Sequence, residues 1–310
     1  MPIEQLHASL SRLIDPAEPI RWLADNVATD TTGPAEGPLW WPEENCLYLS
    51  DVKGARRLRW SEARGLEVVA TGTRMGNGQT RDRRGRLLAC ELEGRRVSRW
   101  ELGGGEGSHT VIARGFAGKP LNMPNDIVAK SDGSIYFTDP WSPIPPRAPG
   151  EFDRGHDGVF RIAPDLSDMT LIIRDLAHSN GLCFSPDEKT LYVNDYARAT
   201  IRAWDMKADG TPDLATDRLF CNMKNDERAG MPDGMKCDLE GNVYCGGSGG
   251  LWLIDPKGRH LGTIVHGETK TTNLAFGGPD WKTLFFTTHH RLGAVRTRIA
   301  GVPVPRGSLA

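Results

Sequence analysis

Apolar and polar positions alternate in short runs along the whole chain, and one run recurs six times: LYLSDV (47–52), LLACEL (87–92), IYFTDP (135–140), LYVNDY (191–196), VYCGGS (243–248) and LFFTTH (284–289). With the second residue of each as a marker (Tyr48, Leu88, Tyr136, Tyr192, Tyr244, Phe285), the steps are 40, 48, 56, 52 and 41 residues. A period of about 40–50 residues built from short strands is the signature of a β-propeller with one four-stranded sheet per blade. The pattern therefore predicts an all-β fold, a six-bladed β-propeller forming a single domain over residues 1–310.

Each copy is preceded by a turn sequence, such as Ser131-Asp132-Gly133 or Asp238-Leu239-Glu240-Gly241, and followed by a second alternating stretch, such as RRLRW (56–60) or TIRAW (200–204). Such turns supply the preset or positive φ angles that reverse a chain between strands, and the period of two is that of a half-buried strand. Outside the repeats, Ile3, Leu6, Leu10, Leu13 and Ile14 recur at helical spacing up to Asp15-Pro16, which predicts a short amphipathic N-terminal helix in an extension covering 1–16. The stretch IRWLADNV (20–27) reads as an outer strand that closes the ring beside the last blade, and residues 301–310 read as a loose tail. The longest step between markers contains the insertion 139–158, where Trp141, Pro143 and Phe152 are positioned to form a lid over a channel mouth or a proline-stiffened surface loop.

Chemistry enters through the phase of the repeat. Glu36, Asn77, Asn125, Asn180, Asp233 and Asn273 each lie 11 or 12 residues ahead of a marker, at the entrance of the preceding strand. The first strand of a propeller blade is innermost, so six oxygen-bearing side chains are expected to converge on the axis. Singly, each is explained as a turn former, as Asn-Gly at 77–78 and 180–181 illustrates. Jointly, a converging ring of oxygens is costly unless a cation sits among them. Two carboxylates with several amide oxygens match a hard divalent ion: Ca²⁺ first, with Zn²⁺, Mg²⁺ or Mn²⁺ also compatible.

The segments AEGPLWWPEE (35–44), GKPLNMPNDIVAKSDGSIYFTDP (118–140), SNGLCFSPDEKTLYVND (179–195), MPDGMKCDLEGNVYCGG (231–247) and TNLAFGGPD (272–280) resemble the SMP-30/gluconolactonase/luciferin-regenerating-enzyme family of six-bladed propellers, from about Ile20 to the last strand. The resemblance implies one divalent metal in the central channel, held by Glu36, Asn125, Asn180 and Asp233, with Asp233 also the general base of lactone hydrolysis. It further implies that Asn77 contacts substrate hydroxyls or a metal-bound water. Asn122 and Met123 precede Asn125 where some animal members carry an Arg two residues before the Asn, so Met123 departs from that substrate contact. His178, two residues before Asn180, and Trp141 are further candidates to line the mouth, while Asn273 has no family role and is read as structural.

These residues point to metal-dependent hydrolysis of a small lactone, a sugar (aldono)lactone above others, to the open-chain hydroxy acid. The alternatives are a non-catalytic propeller scaffold and, within the same family, a metal-dependent phosphotriesterase. Gly246-Gly247-Ser248-Gly249-Gly250 satisfies G-x-S-x-G, but no helix follows, so a hairpin is expected instead of a nucleophile elbow. A net charge of −2 gives no general attraction to nucleic acid, and the basic run Arg81, Arg83, Arg84 and Arg86 reads as a solvated turn. Six cysteines without C-x-x-C spacing, no signal-peptide core and no membrane-length apolar run predict a reduced, cytoplasmic protein with no membrane partner. Oligomeric state is not legible.

Overall fold

In a computed structural model, described over residues 2–28, 33–101, 109–141, 157–225 and 227–306, the chain forms six antiparallel blade sheets arranged around a central channel, with a small two-stranded hairpin, Gly115–Phe116 and Lys119–Pro120, beside them. Blade one comprises Ala35–Trp41, Cys46–Asp51, Arg56–Ser61 and Gly65–Thr71; blade two Gly76–Arg81, Leu87–Glu91, Arg96–Trp100 and His109–Ala113. Blade three comprises Ile127–Ala129, Ile135–Asp139, Gly158–Ile162 and Met169–Ile173; blade four Ser179–Phe184, Thr190–Asp195, Thr200–Asp205 and Arg218–Asn222. Blade five comprises Met235–Cys237, Val243–Gly247, Gly250–Ile254 and His260–Ile264; blade six Asn273–Gly277, Thr283–Thr287 and Leu292–Arg296. The fourth strand of blade six is Arg21–Ala24, antiparallel to Leu292–Arg296 with Trp22 opposite Gly293, so the two ends of the chain complete one sheet as the sequence predicts.

Burial falls toward the outer edge of blade one. The first two strands of blade one are buried at every position, whereas its outer strand, Gly65–Thr71, is largely exposed. The inner strands lose the hydrophobic alternation because both of their faces are packed between neighbouring blades. Marker side chains supply that packing: Tyr136 meets Phe184 edge-on at 4.8 Å, Tyr244 meets Phe276 at 5.0 Å, and Phe285 stacks on Trp40 at 5.5 Å. Each of these pairs joins one blade to the next, and aromatic pairs add about 0.5–1.5 kcal/mol beyond their buried area. All six cysteines are buried and unbridged.

At the termini the short helix is refined to a 3₁₀ turn and the loose tail is corrected. The N-terminal segment contains no α-helix: Ile3–Gln5 is a fifth strand on blade five, paired with His260–Ile264, and only Ala8–Arg12 turns, as a 3₁₀ helix capped by His7. A helix of that length is marginal alone, while the outer edge of blade five offers unpaired backbone groups. Ile3, Leu10, Leu13 and Ile14 remain buried, so the apolar positions serve the same core in another conformation, and Leu6 is left 54% exposed. The tail is held rather than loose through Arg306. Gly301 N donates to Trp281 O and Val302 N to Cys237 O, Val304 packs beside Leu39 and Tyr48, and the Arg306 guanidinium donates to the carbonyls of Phe184, Ser185 and Pro186 and pairs with Glu188. Residues 307–310 lie outside the described residues.

Candidate functional site

The six ring positions meet at one end of the channel because their backbones are locked blade to blade. Consecutive inner strands lie against one another, and the sixth against the first. Glycines follow four of the ring residues, and each faces the ring residue of the next blade so closely that a Cβ would collide: at Gly37 it would lie 2.1 Å from Asn77 O, and at Gly181 2.3 Å from Asp233 O. In three blades the residue two after the marker completes the lock. Ser50 Oγ donates to Asn77 O (2.9 Å), Thr138 Oγ1 to Asn180 O (2.7 Å) and Asn194 Nδ2 to Asp233 O, while Thr272 Oγ1 reaches Ala35 O (2.6 Å). With the carbonyls occupied, the side chains are left for the axis.

Glu36 is buried, and its Oε2 accepts from Gly37 N (3.3 Å) and Asn273 Nδ2 (3.0 Å). Asp233 keeps part of its surface open to the narrow channel and is hydrogen-bonded by the Asn180 side chain. Asn125, also partly open to the channel, donates its N–H to Thr138 O (2.9 Å) and accepts from Gly78 N (2.9 Å). Oδ1 of Asn77, Oδ1 of Asn180 and Oδ2 of Asp126 are buried and meet no donor. Burial pushes the Glu36 carboxyl up, with the Asp126 charge adding to it. It pushes Asp233 well above the carboxylate range, where the Glu36 charge adds further and the Lys270 ammonium opposes. Burial raises Asp126 as well, against the Lys236 ammonium.

Unpartnered buried acceptors cost about 1–3 kcal/mol each, and carboxylates that suppress one another's ionisation carry a further penalty. A cation among them reverses both effects. Among the described residues no group of three His, Cys, Asp or Glu side chains is arranged to hold a metal, so amide oxygens have to complete any such site. The donor set is all oxygen, which fits a hard divalent ion.

The substrate candidates separate. Asn77 belongs to the ring. Asn122 is buried and bound to blade three, its N–H donating to Asp139 Oδ2 (2.8 Å) and its Nδ2 to Asp139 O (3.1 Å). Met123 fills an apolar cluster with Val52, Leu92 and Met75 between loops at the ring end, a packing position. His178 is half-buried with its ring tilted over Tyr196 at 5.4 Å, and burial lowers its imidazole pKa. Trp141 is 51% exposed, its N–H held by Asp157 Oδ1 (2.7 Å); Pro143 and Phe152 lie outside the described residues. The G-x-S-x-G segment is a hairpin turn, with Gly247 opposite Gly250 and Ser248 Oγ bonded to Gly230 O (3.0 Å).

Four polar residues near the ring escape the repeat. Asp126 follows Asn125 where four copies have glycine, and Lys236 lies three residues after Asp233. Lys270 Nζ donates to the Tyr196 hydroxyl (3.3 Å) at the mouth. The sequence signal for Asp126 and Lys236 is a charged residue at a phase that is uncharged in the other blades.

Comparison with known proteins places this geometry. Residues 34–290 match the SMP-30/gluconolactonase/LRE-like region. The chain is 27% identical to a gluconolactonase of Zymomonas mobilis, covering 96% of this chain and 87% of that protein. It is 27% identical to a pentonolactonase of Haloferax volcanii, covering 82% and 80%. A solved structure of a Xanthomonas campestris gluconolactonase superposes with a TM-score of 0.82 at 31% identity, covering 96% of this chain and 95% of that one. With six blades, a ring of oxygens at the strand entrances and a match across most of its length, the chain belongs to the SMP-30/gluconolactonase/LRE-like family.

Proposed function

We propose that the protein hydrolyses a small lactone, above others a sugar lactone, to the open-chain hydroxy acid, with one divalent ion held by Glu36, Asn125, Asn180 and Asp233. The observation that carries this reading is the convergence of two mutually repelling carboxylates with buried amide oxygens that have no donor. Gluconolactonase and pentonolactonase relatives support the reaction class. The bound ion would polarise the lactone carbonyl and stabilise the oxyanion formed on water attack.

The chain's own groups account for the proton. Asp233, open to the channel, takes a proton from the attacking water as its oxygen bonds to the carbonyl carbon, and returns it to the ring oxygen as the C–O bond breaks. The ring oxygen becomes a hydroxyl and the carbonyl becomes the carboxyl group, so no covalent enzyme intermediate is needed. Asn77, with an amide free to bind hydroxyls, orients the sugar. His178, Tyr196 and Lys270 form one polar sector of the mouth, and Trp141 stands at the rim.

The test is acid release from gluconolactone and pentonolactones before and after chelation, with Ca²⁺, Mg²⁺, Mn²⁺ or Zn²⁺ added back. Loss on chelation and return with one of the ions is expected. Turnover that survives complete chelation, and is unchanged in Glu36→Gln and Asp233→Asn, refutes the proposal.

A further inference from the structure

The sixth ring residue does not behave as a ligand. Asn273 Nδ2 donates to Glu36 Oε2 (3.0 Å), across the junction between blades six and one. Its own Oδ1 accepts from Leu274 N (2.9 Å) and from Lys236 Nζ (3.5 Å), so both donors around the oxygen fix which end of the amide faces Glu36. Gly234 lets this amide lie flat against blade five, since a Cβ there would sit 2.2 Å from Asn273 Cγ. Both hydrogen bonds described for the Glu36 carboxylate end on Oε2, so Oε1 is the oxygen left to ligate. Lys236 lies on the inner strand of blade five, and its ammonium sits on the opposite end of the Asn273 amide from Glu36.

We infer that Asn273 is a positioning residue that makes Glu36 a one-oxygen ligand, and that Lys236, whose ammonium is held on the far end of the Asn273 amide, is a fixed counter-cation that opposes cation binding at the ring. This rests on the metal-dependent reading above. A donor on the outer oxygen of a ligating carboxylate orients it, and losing such a partner weakens metal binding by about 10- to 100-fold. A nearby ammonium has the opposite effect, repelling the ion it stands beside.

The two roles move affinity in opposite directions, which calorimetric titration of the metal-stripped protein with Ca²⁺ reads directly. Asn273→Leu, of similar volume but without a donor, is expected to weaken binding at least tenfold while kcat at saturating metal stays within about threefold. Lys236→Met is expected to tighten binding at least threefold. A purely structural role for Asn273 would lower the unfolding midpoint and leave the dissociation constant in place. Should Asn273→Leu fail to fold, Asn273→Ala removes the same donor without placing a larger apolar group against Gly234. Less than a tenfold loss in the Asn273 variant, or unchanged or weaker binding in Lys236→Met, overturns the inference. If the unmodified protein binds no divalent ion, it is the proposed function that fails.

Discussion

The two ends of the channel are built from the same six inner strands and have opposite character. At the strand entrances, Asn77, Asn180 and Asp126 hold buried oxygens without donors, and burial raises the proton affinity of Glu36 and of Asp233, with the Asp126 charge adding to the first and the Glu36 charge to the second. At the strand exits, Trp40, Phe184, Cys237, Phe276 and Trp281 line an apolar cavity covered by Val302 and Val304, and the Arg306 guanidinium satisfies three carbonyls at once. One end keeps unmet bonding capacity, while the other spends polar groups on closure. Function and stability thus sit at opposite ends of one structural element, and perturbing each should leave the other intact.

The largest expected effect is on the polar end. Asp233→Asn should reduce lactone turnover by about 10³-fold, within the range for loss of a general base, without lowering the unfolding midpoint of the metal-free protein. Equal loss of stability and activity would erase the contrast. At the closed end, Arg306→Ala removes a donor from three carbonyls, of which Ser185 O keeps Glu188 N, and should cost about 1–3 kcal/mol in urea unfolding, with the Ca²⁺ dissociation constant unchanged. The pH dependence sharpens the comparison. Glu36 and Asp233 have folded pKa values above their unfolded ones, so the folded state binds more protons in the interval between. The metal-free protein should therefore lose stability as pH rises from the ordinary carboxylate range through neutrality, and saturating divalent ion should flatten that slope. Thermal midpoints at stepped pH, with and without ion, measure it. The smallest effect belongs to the locks: Thr138→Val removes the donor to Asn180 O and should cost about 1 kcal/mol, with a modest rise in KM as Asn180 loosens.

The ring was legible in sequence because six copies repeat its phase, so each weak turn signal supported the others. Asp126 and Lys236 were not, because a singular residue has no repeat to support it. Strand parity is also unreliable at the entrances of blades one, two and four, where register shifts at Glu36/Leu39, Gly76/Gln79 and Ser179/Leu182 break the alternation. Such bulges redirect side chains, and here they occur where the site is. The N-terminal segment shows a different limit. Its spacing suits a helix, yet the unpaired edge of blade five took Ile3–Gln5 as a strand, a partner some 260 residues away that local pattern cannot register. The tail was misjudged for the same reason, since Arg306 finds its carbonyls on blade four.

The hydrogen bond from Asn273 to Glu36 spans 237 residues and crosses the seam where the circle of blades closes, as does the bond from Thr272 to Ala35. A growing chain therefore carries its first carboxylate unmatched until the final blade has been synthesised and Arg21–Ala24 has paired with Leu292–Arg296. Completion of the oxygen ring and circularisation of the blades are therefore one event. A fragment lacking blade six is without the Asn273 donor to Glu36, and partners so distant in the chain impose slow folding.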